Sequence, residues 1–262
     1  MKQIAPAKRK LRPRNATAAT KKMVGGAPGR SADRSADDAA VTENKTTTRR
    51  TRLSPEERSN LIVRGAIRFF AERGFGGQTR ELAQQLGITQ GLLYRYFPTK
   101  DLLIERIYEE LFVKRIRPEW EAGLINRTEP LLPRLIKFYL NYATILHDYE
   151  WGRIYLYSGL GGAPIAKRFV HQTTQGLYRR VIGEFRHELE LPGLDAVPMT
   201  ESEAELMWAL NGSIFYIGVR VSVYGVAPPS NVPATVTQIV ERFYDSARLE
   251  LTASHGAALL RT

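Results

Sequence analysis

The chain has 262 residues, 43% of them apolar, which is enough for one large domain or two small ones with a sizeable core. It contains no cysteine, which excludes a disulfide framework, a thiolate nucleophile, cysteine-ligated zinc and cysteine-bound iron–sulfur clusters. Its net charge of +11 favours an anionic partner such as nucleic acid or a membrane surface, unless the charge only solvates a basic face.

Nearly all of this charge lies in residues 1–53, which hold fourteen Lys and Arg against four acidic residues and carry no aromatic residue. Because such a segment buries too little apolar surface to offset its ordering entropy, we expect a disordered basic tail. Its use stays open between a non-specific DNA-binding arm, a solvated linker and an organelle transit peptide. We expect its deletion to lower salt-sensitive, non-specific DNA affinity and to leave sequence preference intact.

The sequence has no apolar stretch of the length that secretion signals or membrane spans require. The charged start lacks the signal core of about 7 to 15 apolar residues, and no run reaches about 18. This absence predicts a soluble, cytoplasmic protein without a membrane partner.

Three short helical patterns open the remaining sequence. Ser54 is a predicted N-cap, because Pro55 and two glutamates follow it. The apolar face of the first helix consists of Ile62, Ala66, Phe69 and Phe70, and a glycine-rich loop follows this helix. A second helix around residues 82–86 ends at Gly87, and a third extends from about residue 89 to 97.

The downstream patterns are also helical. They predict a fourth helix with Pro118 near its end, a fifth that is interrupted or begun at Pro133, and a long helix over about 165–189. Two further helices cover 201–224 and 233–252, and a brief alternation at 219–226 is interpreted as a frayed helix end. The fold class is therefore all-α, with about nine helices.

The segment TRELAQQLGITQGLLYRYFPTKDLL, residues 79–103, has helix-turn-helix spacing. Ala83 allows two helices to cross closely, Gly87 can adopt the left-handed turn between them, and Leu93 anchors the second helix. With Leu93 turned inward, Gln90 and Tyr94 lie on the outward face.

This outward face has the residue types of a DNA-reading helix. Gln90 can hydrogen-bond adenine bidentately, Gly91 allows close backbone approach, and Leu92 can touch a thymine methyl. Lys100 follows the predicted cap Thr99, where the helix dipole disfavours a cation, so a phosphate partner is favoured. The alternative is a surface lysine balanced by an adjacent acid.

Over residues 55 to about 103 the sequence resembles the TetR family of transcriptional regulators. The resemblance implies a three-helix DNA-binding domain, a larger helical ligand-binding and dimerisation domain, and a homodimer on double-stranded DNA with a palindromic operator. By position, it implies phosphate or backbone contacts for Thr79, Tyr94, Tyr96 and Lys100, and base-edge positions for Arg80, Gln90, Gly91 and Leu92.

The loop before the second helix departs from the family pattern. It is one residue shorter between Gly74 and Arg80, and Gln78 stands where the family usually has Thr or Ser. This departure shifts the expected capping and phosphate role onto Thr79.

The last two predicted helices are candidate dimer surfaces. The helix over 201–224 is apolar nearly all round, which predicts burial on two sides. Dimerisation would place two helix-turn-helix copies about 34 Å apart, so that together they read a palindrome. The alternative is that the helices over 201–224 and 233–252 belong to the core of one subunit.

The central helices are rich in aromatic residues, which suits an apolar or aromatic effector, although such a stripe is also typical of a core. The candidate ligand-binding residues are Tyr139, Tyr142, Trp151, Tyr155, Trp208 and Phe215. The histidines lack the spacing of a metal site, and the glycine-rich segment 159–164 has no Walker lysine. The spacing of Ser, His and acidic residues suggests no catalytic triad. We therefore expect no metal, no cofactor and no enzyme activity.

These observations lead to one functional hypothesis and two alternatives. The hypothesis is a dimeric, sequence-specific DNA-binding regulator, a repressor released by a small effector. Its parts are a basic tail (1–53), a helix-turn-helix domain (54–100), a ligand-binding and dimerisation domain (101–252) and a flexible C-terminus (253–262). The alternatives are a ligand-independent architectural DNA-binding dimer, and a helical enzyme or adaptor with a vestigial helix-turn-helix.

Overall fold

The computed structural model describes residues 53–259, with side chains up to residue 254, and this part of the chain is helical without a strand. In chain order the helices are α1 (Pro55–Arg73), α2 (Thr79–Gln85), α3 (Gln90–Tyr96), α4 (Lys100–Tyr108), α5 (Pro118–Leu124), α6 (Leu131–Leu146), α7 (Tyr149–Leu160), α8 (Pro164–Thr173), α9 (Arg179–Glu188), α10 (Glu201–Ser222) and α11 (Val232–Leu259). A first π-helical turn (Glu109–Val113) follows α4, and a second (Thr174–Tyr178) joins α8 to α9. The predicted all-α class is confirmed.

Helix α1 begins where the sequence predicts. The Ser54 hydroxyl accepts a 3.1 Å hydrogen bond from the Glu57 amide, and the Glu57 carboxylate accepts a 2.7 Å bond from the Ser54 amide. This reciprocal capping box satisfies two of the amides that a helix start leaves unpaired. The predicted stripe packs inward, with Ile62, Ala66 and Phe70 fully buried.

The turn between α2 and α3 has the predicted glycine conformation. Gly87 has a φ of +64°, its amide donates to the Gln84 carbonyl, and the Ile88 amide donates to the Ala83 carbonyl. These two bonds form a Schellman motif, which ends α2 and turns the chain toward α3. Ala83 and Leu93 are both buried, as the helix-turn-helix spacing predicts.

Two prolines lie at helix starts rather than helix ends. Pro118 opens α5, so the prediction that it lies near the end of the fourth helix is wrong; proline lacks an amide proton and fits best in a first turn. Helix α6 begins at Leu131, two residues before Pro133, which the first turn also tolerates.

The long helix predicted over 165–189 is present as α8, the second π-helical turn and α9, which follow one another without a break. It lies beside α7, which is bounded by Asp148 as N-cap and Gly161 as C-cap. Helix α7 contacts α1, α6, α8 and α10, so it connects the first helix to the helices after α4.

Helix α10 is buried on one side only in the single chain, with Met207, Leu210 and Ile214 inside and Trp208 and Tyr216 partly exposed. It ends at Ser222, in keeping with a frayed end beyond that point. Helix α11 continues past the predicted boundary at residue 252 and reaches Leu259.

Buried ion pairs join the helices of the larger part. Arg186 is fully buried, binds Glu203 through Nε (2.8 Å) and Nη2 (2.6 Å), and donates to carbonyl oxygens of the connector between α9 and α10, including that of Val197 (2.6 Å). These bonds satisfy a buried charge and hold the connector against α9.

Residues 1–52, which hold nearly all of the predicted basic tail, lie outside the described residues. Among residues 53–259, none of the helices combines the length and apolarity that crossing a membrane requires.

Candidate nucleic-acid interface and internal cavities

The outward face of α3 carries the side chains that the sequence analysis assigned to base recognition. Gln90, Gly91 and Tyr94 are exposed, whereas Leu93 on the opposite face is buried. Arg80 on α2 is exposed beside them. A cavity of about 310 Å³ lies between this face and the loop before α2, and its lining includes Gln90, Tyr94, Arg80 and Lys100.

Thr79 and Tyr94 are joined across the helix-turn-helix by a 2.9 Å hydrogen bond between their hydroxyls. The expectation that Thr79 caps α2 is wrong: Gln78 is the N-cap residue, without a side-chain cap bond, and Thr79 is the first helical residue. Because Thr79 lies one residue after the N-cap position, its hydroxyl does not cap α2. It binds the Tyr94 hydroxyl instead and holds the start of α2 against α3.

Lys100 is bound within the protein rather than fully free. Its half-buried ammonium donates to the carbonyl oxygens of Phe75 and Gly77, the latter at 3.0 Å, and lies 5.5 Å from the ring centroid of Phe70. Because an ammonium has three protons, one remains for a further acceptor such as a phosphate. Lys100 therefore shapes the loop before α2, a role that its sequence position did not reveal.

The other two predicted contact residues are less accessible. Leu92 is half-buried, and its amide donates to the capping hydroxyl of Thr89 at 3.1 Å. Tyr96 is half-buried and packs against the hydrophobic core.

The same region matches a known family. Residues 62–107 match the family model described as bacterial regulatory proteins, tetR family. These residues therefore form a region similar to tetR-family regulators. The matched residues extend from within α1 to the last turn of α4, and so include the whole helix-turn-helix of this tetR-family domain.

Solved structures of tetR-family regulators share the fold. One from Streptomyces coelicolor has a TM-score of 0.51 and 17% sequence identity, covering 80% of this chain and 89% of that chain. Another, a TetR-like transcriptional regulator from Rhodococcus sp. RHA1, has a TM-score of 0.50 and 16% identity, covering 73% of this chain and 97% of that chain. At such low sequence identity the similarity concerns the fold alone. Because it covers most of the chain, the helices after α4 share this fold as well.

The helices after α4 line a partly open cavity of about 190 Å³, here called the aromatic cavity. Five of the six predicted ligand-binding residues line it: Tyr142, Trp151, Tyr155, Trp208 and Phe215. The remaining lining residues are Leu146, Phe169, Val170, Thr173, Tyr178, Asn211 and Gly212. The sixth, Tyr139, does not line this cavity. Its side chain is fully buried in the core, with its ring centroid 6.2 Å from that of Tyr142.

The aromatic cavity is electrically neutral. None of its lining residues, all within the described part of the chain, is acidic, basic or histidine. Burial raises the pKa of the phenols of Tyr142, Tyr155 and Tyr178 above their usual range, so they stay protonated at physiological pH.

Two side-chain atoms of residues that line the aromatic cavity, Trp151 Nε1 and Asn211 Oδ1, are buried without a hydrogen-bond partner among the described residues. Trp151 is 1% exposed, and its indole Nε1 is buried without a hydrogen-bond acceptor. Its ring stacks on Tyr155, with centroids 5.2 Å apart and planes 11° apart, and meets Phe169 and Phe215 edge to face. Phe112 lies a further 5.2 Å from the same ring, centroid to centroid, so four aromatic rings pack against the Trp151 indole.

A second cavity of about 300 Å³ shares Tyr142, Phe169 and Thr173 with the aromatic cavity. Both π-helical turns contribute to its lining, the first through Phe112 and Val113. π-Helical turns frequently occur at functional sites. Since the first turn continues directly from α4, this second cavity lies between residues of the aromatic cavity and the helix that carries Lys100.

Sequence reasoning missed Arg153, which lies on the side of α7 that faces α1. Its guanidinium donates to carbonyl oxygens of Ala71 and Ser222 and to the Tyr157 hydroxyl, and it lies 5.3 Å from the ring centroids of both Tyr149 and Tyr157. The sequence did contain a signal for this role, because Arg153 lies four residues from Tyr149 and four from Tyr157, which places all three on one side of a helix.

Within residues 53–254, no group of three or more His, Asp or Glu side chains is placed to hold a metal ion.

Proposed function

We propose that this protein is a tetR-family, sequence-specific DNA-binding transcriptional regulator, acting as a homodimeric repressor that a small aromatic effector releases from DNA. The observation that carries the proposal is the exposed face of α3, which presents Gln90, Gly91 and Tyr94 on a helix anchored by buried Leu93. We place the DNA-binding domain at residues 54–100 and the effector and dimerisation domain at 101–252.

In this proposal α3 enters the major groove with its N-terminal residues toward the bases. Gln90 accepts from and donates to adenine, and Gly91 brings the helix backbone close to the base edges. Arg80 and Leu92 contact bases or lie near them. Thr79, Tyr94, Tyr96 and the third proton of Lys100 bind the phosphate backbone, which positions α3 without reading sequence.

The proposed dimer forms through α10 and α11. In the single chain α10 leaves an outward side of small and aromatic residues exposed, with Trp208 and Tyr216 flanking Ala209, Gly212 and Ser213. Small residues permit close helix approach, and a second copy of the chain would cover the exposed rings. Two α3 helices about 34 Å apart would then read a palindromic operator.

Effector binding is proposed to act through α4. Trp151 lines the aromatic cavity and lies 5.2 Å from Phe112, centroid to centroid, in the π-helical turn that continues α4. An effector that fits only one arrangement of these rings would favour one position of α4 and change the distance between the two α3 helices.

Binding-site selection from random DNA tests the proposal, with the full chain and with residues 54–262. We expect both forms to enrich one palindromic sequence with half-sites about one helical turn apart. Q90A should lose about 1–3 kcal/mol of discrimination at one base position per half-site, whereas Q175A, at an exposed glutamine of the second π-helical turn, should keep full discrimination.

Other outcomes point to the alternatives. Binding without sequence preference, dependent on residues 1–53, would indicate an architectural DNA binder. Absence of DNA binding by both forms would contradict a regulatory role and favour an enzyme or adaptor.

A further inference from the structure

A third cavity, partly open and of about 330 Å³, lies where α1, α7 and the first π-helical turn meet, and it is here called the basic cavity. Its lining consists of Arg64, Ile67 and Arg68 from α1, Glu110, Leu111, Lys114 and Arg115 from the π-helical turn and the residues after it, and Glu150 from α7. It shares no lining residue with the aromatic cavity, the second cavity or the cavity beside α3. Its volume lies within the range of about 300–1,000 Å³ that is typical of small-molecule sites.

Both carboxylates of the basic cavity already have basic partners. Glu110 accepts hydrogen bonds from Lys114 at 3.1 Å and from Arg106, outside the lining, at 3.0 Å. Glu150 lies 3.6 Å from the Nε atom of Arg68. The negative charge of the lining is therefore neutralised within the chain.

The positive charge of the lining is only partly neutralised. Arg115 pairs with Asp148, outside the lining, at 3.1 Å. Among the charged lining residues, all within the described part of the chain, Arg64 forms no ion pair and no side-chain hydrogen bond. Arg64 also lies one helical turn before Arg68 on α1, and like charges at this spacing repel each other. An anion in the cavity would pair Arg64 and relieve this repulsion.

We infer that the basic cavity binds a phosphate dianion, either free or at the end of a small organic molecule, through Arg64, Arg68 and Lys114. Guanidinium groups match phosphate oxygens with paired donors, and an ammonium adds a compact charge. The buried side chains of Ile67 and Leu111 offer contact to the carbon atoms of a phosphate ester. A bound phosphate would bridge α1 to the segment that continues α4.

The position of the basic cavity favours a small phosphate compound over the DNA backbone. Its walls come from α1, α7 and the π-helical turn, whereas the proposed DNA contacts are on α2, α3 and the start of α4. It is also concave, so it can surround a small anion on several sides.

Isothermal titration calorimetry of the full-length protein at pH 8 and constant ionic strength tests this inference. The probes are inorganic phosphate, ribose 5-phosphate and ribose. We expect at least one of the two phosphates to bind once per chain with a Kd below about 1 mM, and ribose not to bind. Equal affinity for the two phosphates would identify free phosphate as the ligand. Tighter binding of ribose 5-phosphate would identify a phosphate ester.

Substitution of the unpaired arginine locates the site. Arg64→Met should weaken phosphate binding at least about fivefold, because it removes a charge-assisted contact. Arg73→Met is the matched control, since Arg73 is exposed on the same helix but does not line the cavity. Arg80→Met is the control for binding beside α3. Both control variants should retain the native affinity for phosphate.

Five results would overturn the inference. Two concern the native protein, and they stand even if a variant fails to fold: binding of neither phosphate, or equal affinity for ribose and ribose 5-phosphate. The third is unchanged affinity in Arg64→Met, and the fourth is an equal loss in Arg80→Met, which would place the phosphate on the DNA-binding face. The fifth is a larger loss of DNA affinity in Arg64→Met than in Arg73→Met without added phosphate, which would assign Arg64 to the DNA backbone.

Discussion

The Nε atom of Arg153 donates a 2.6 Å hydrogen bond to the carbonyl oxygen of Ala71, which fastens the cavity-lining helix α7 to the last turn of α1. Its Nη1 atom reaches the carbonyl oxygen of Ser222, the last residue of α10, at 3.3 Å. The last carbonyls of a helix have no partner within the helix and lie at its negative end, so one guanidinium serves two helix termini. Arg153 therefore links the DNA-binding part, the cavity and the proposed dimer helix.

Replacing this guanidinium should weaken the whole fold. We expect Arg153→Met to lower the free energy of unfolding by about 2–3 kcal/mol, because it removes charge-assisted bonds to Ala71 and Ser222 and leaves both helix ends unpaired. Urea unfolding followed by circular dichroism measures the change.

Arg68→Met is the matched control for this linkage. Arg68 also connects α1 to α7, through Glu150 at 3.6 Å, but its side chain is 73% exposed, so its loss should cost less than about 0.5 kcal/mol. Equal effects of the two substitutions would contradict a special role for Arg153.

The features that were predictable from sequence are those set by neighbours in the chain. Ser54 caps α1 through Glu57 three residues later, and Gly87 turns the chain through bonds to its own helix. The inward and outward sides of α3 follow from helical spacing alone. These determinants act over a few residues, so a linear pattern contains them.

The features that sequence did not reveal depend on contacts distant in the chain. The carbonyl partners of Lys100 lie 25 and 23 residues away, and Ala71 lies 82 residues from Arg153. The aromatic residues were recognisable as a group, but only packing separates Tyr142, which lines the cavity, from Tyr139, which does not. The π-helical turns leave no distinct periodicity in so short a segment.

Lys100 should contribute to folding as well as to DNA binding. Because its ammonium binds the carbonyls of Phe75 and Gly77, we expect Lys100→Met to lower the free energy of unfolding by about 1.5–3 kcal/mol and to weaken binding to all DNA sequences. Thermal unfolding and salt titration of DNA affinity separate the two effects. The exposed Lys137 on α6 provides the control, and Lys137→Met should change neither quantity. A loss of DNA affinity with unchanged stability would show that Lys100 acts on phosphate alone.

Gly91 offers a test in which stability and DNA binding change in opposite directions. A Cβ at Gly91 meets nothing within 4 Å, so Gly91→Ala should leave stability unchanged or raise it by up to about 1 kcal/mol. The added methyl group would hold α3 away from the base edges, so operator affinity should fall at least about tenfold. Fluorescence anisotropy with labelled operator measures this loss. Gly123 on α5 is equally open, and Gly123→Ala should affect stability similarly without changing DNA binding.

The ion pair between α6 and α9 should make stability depend on pH. Glu184 accepts hydrogen bonds from Arg134 at 2.8 Å and Arg127 at 2.9 Å, and the Glu184 and Arg134 side chains are each 5% exposed. Burial by itself raises the pKa of Glu184, but the two guanidinium groups outweigh it and hold that pKa below its usual value.

A carboxyl whose folded-state pKa is lowered stabilises the fold above its unfolded-state pKa of about 4.3, and this contribution is lost as pH falls through the folded-state value. We therefore expect Glu184→Gln to cost about 3 kcal/mol at pH 7, where it leaves Arg134 buried without its counter-charge, and much less near pH 3. Urea unfolding at pH 7, 5, 4 and 3 measures the difference. Glu105→Gln, at an exposed pair with Arg168, should cost under about 1 kcal/mol at pH 7. A cost for Glu184→Gln that stays constant down to pH 3 would show that packing, rather than charge, is what this side chain supplies.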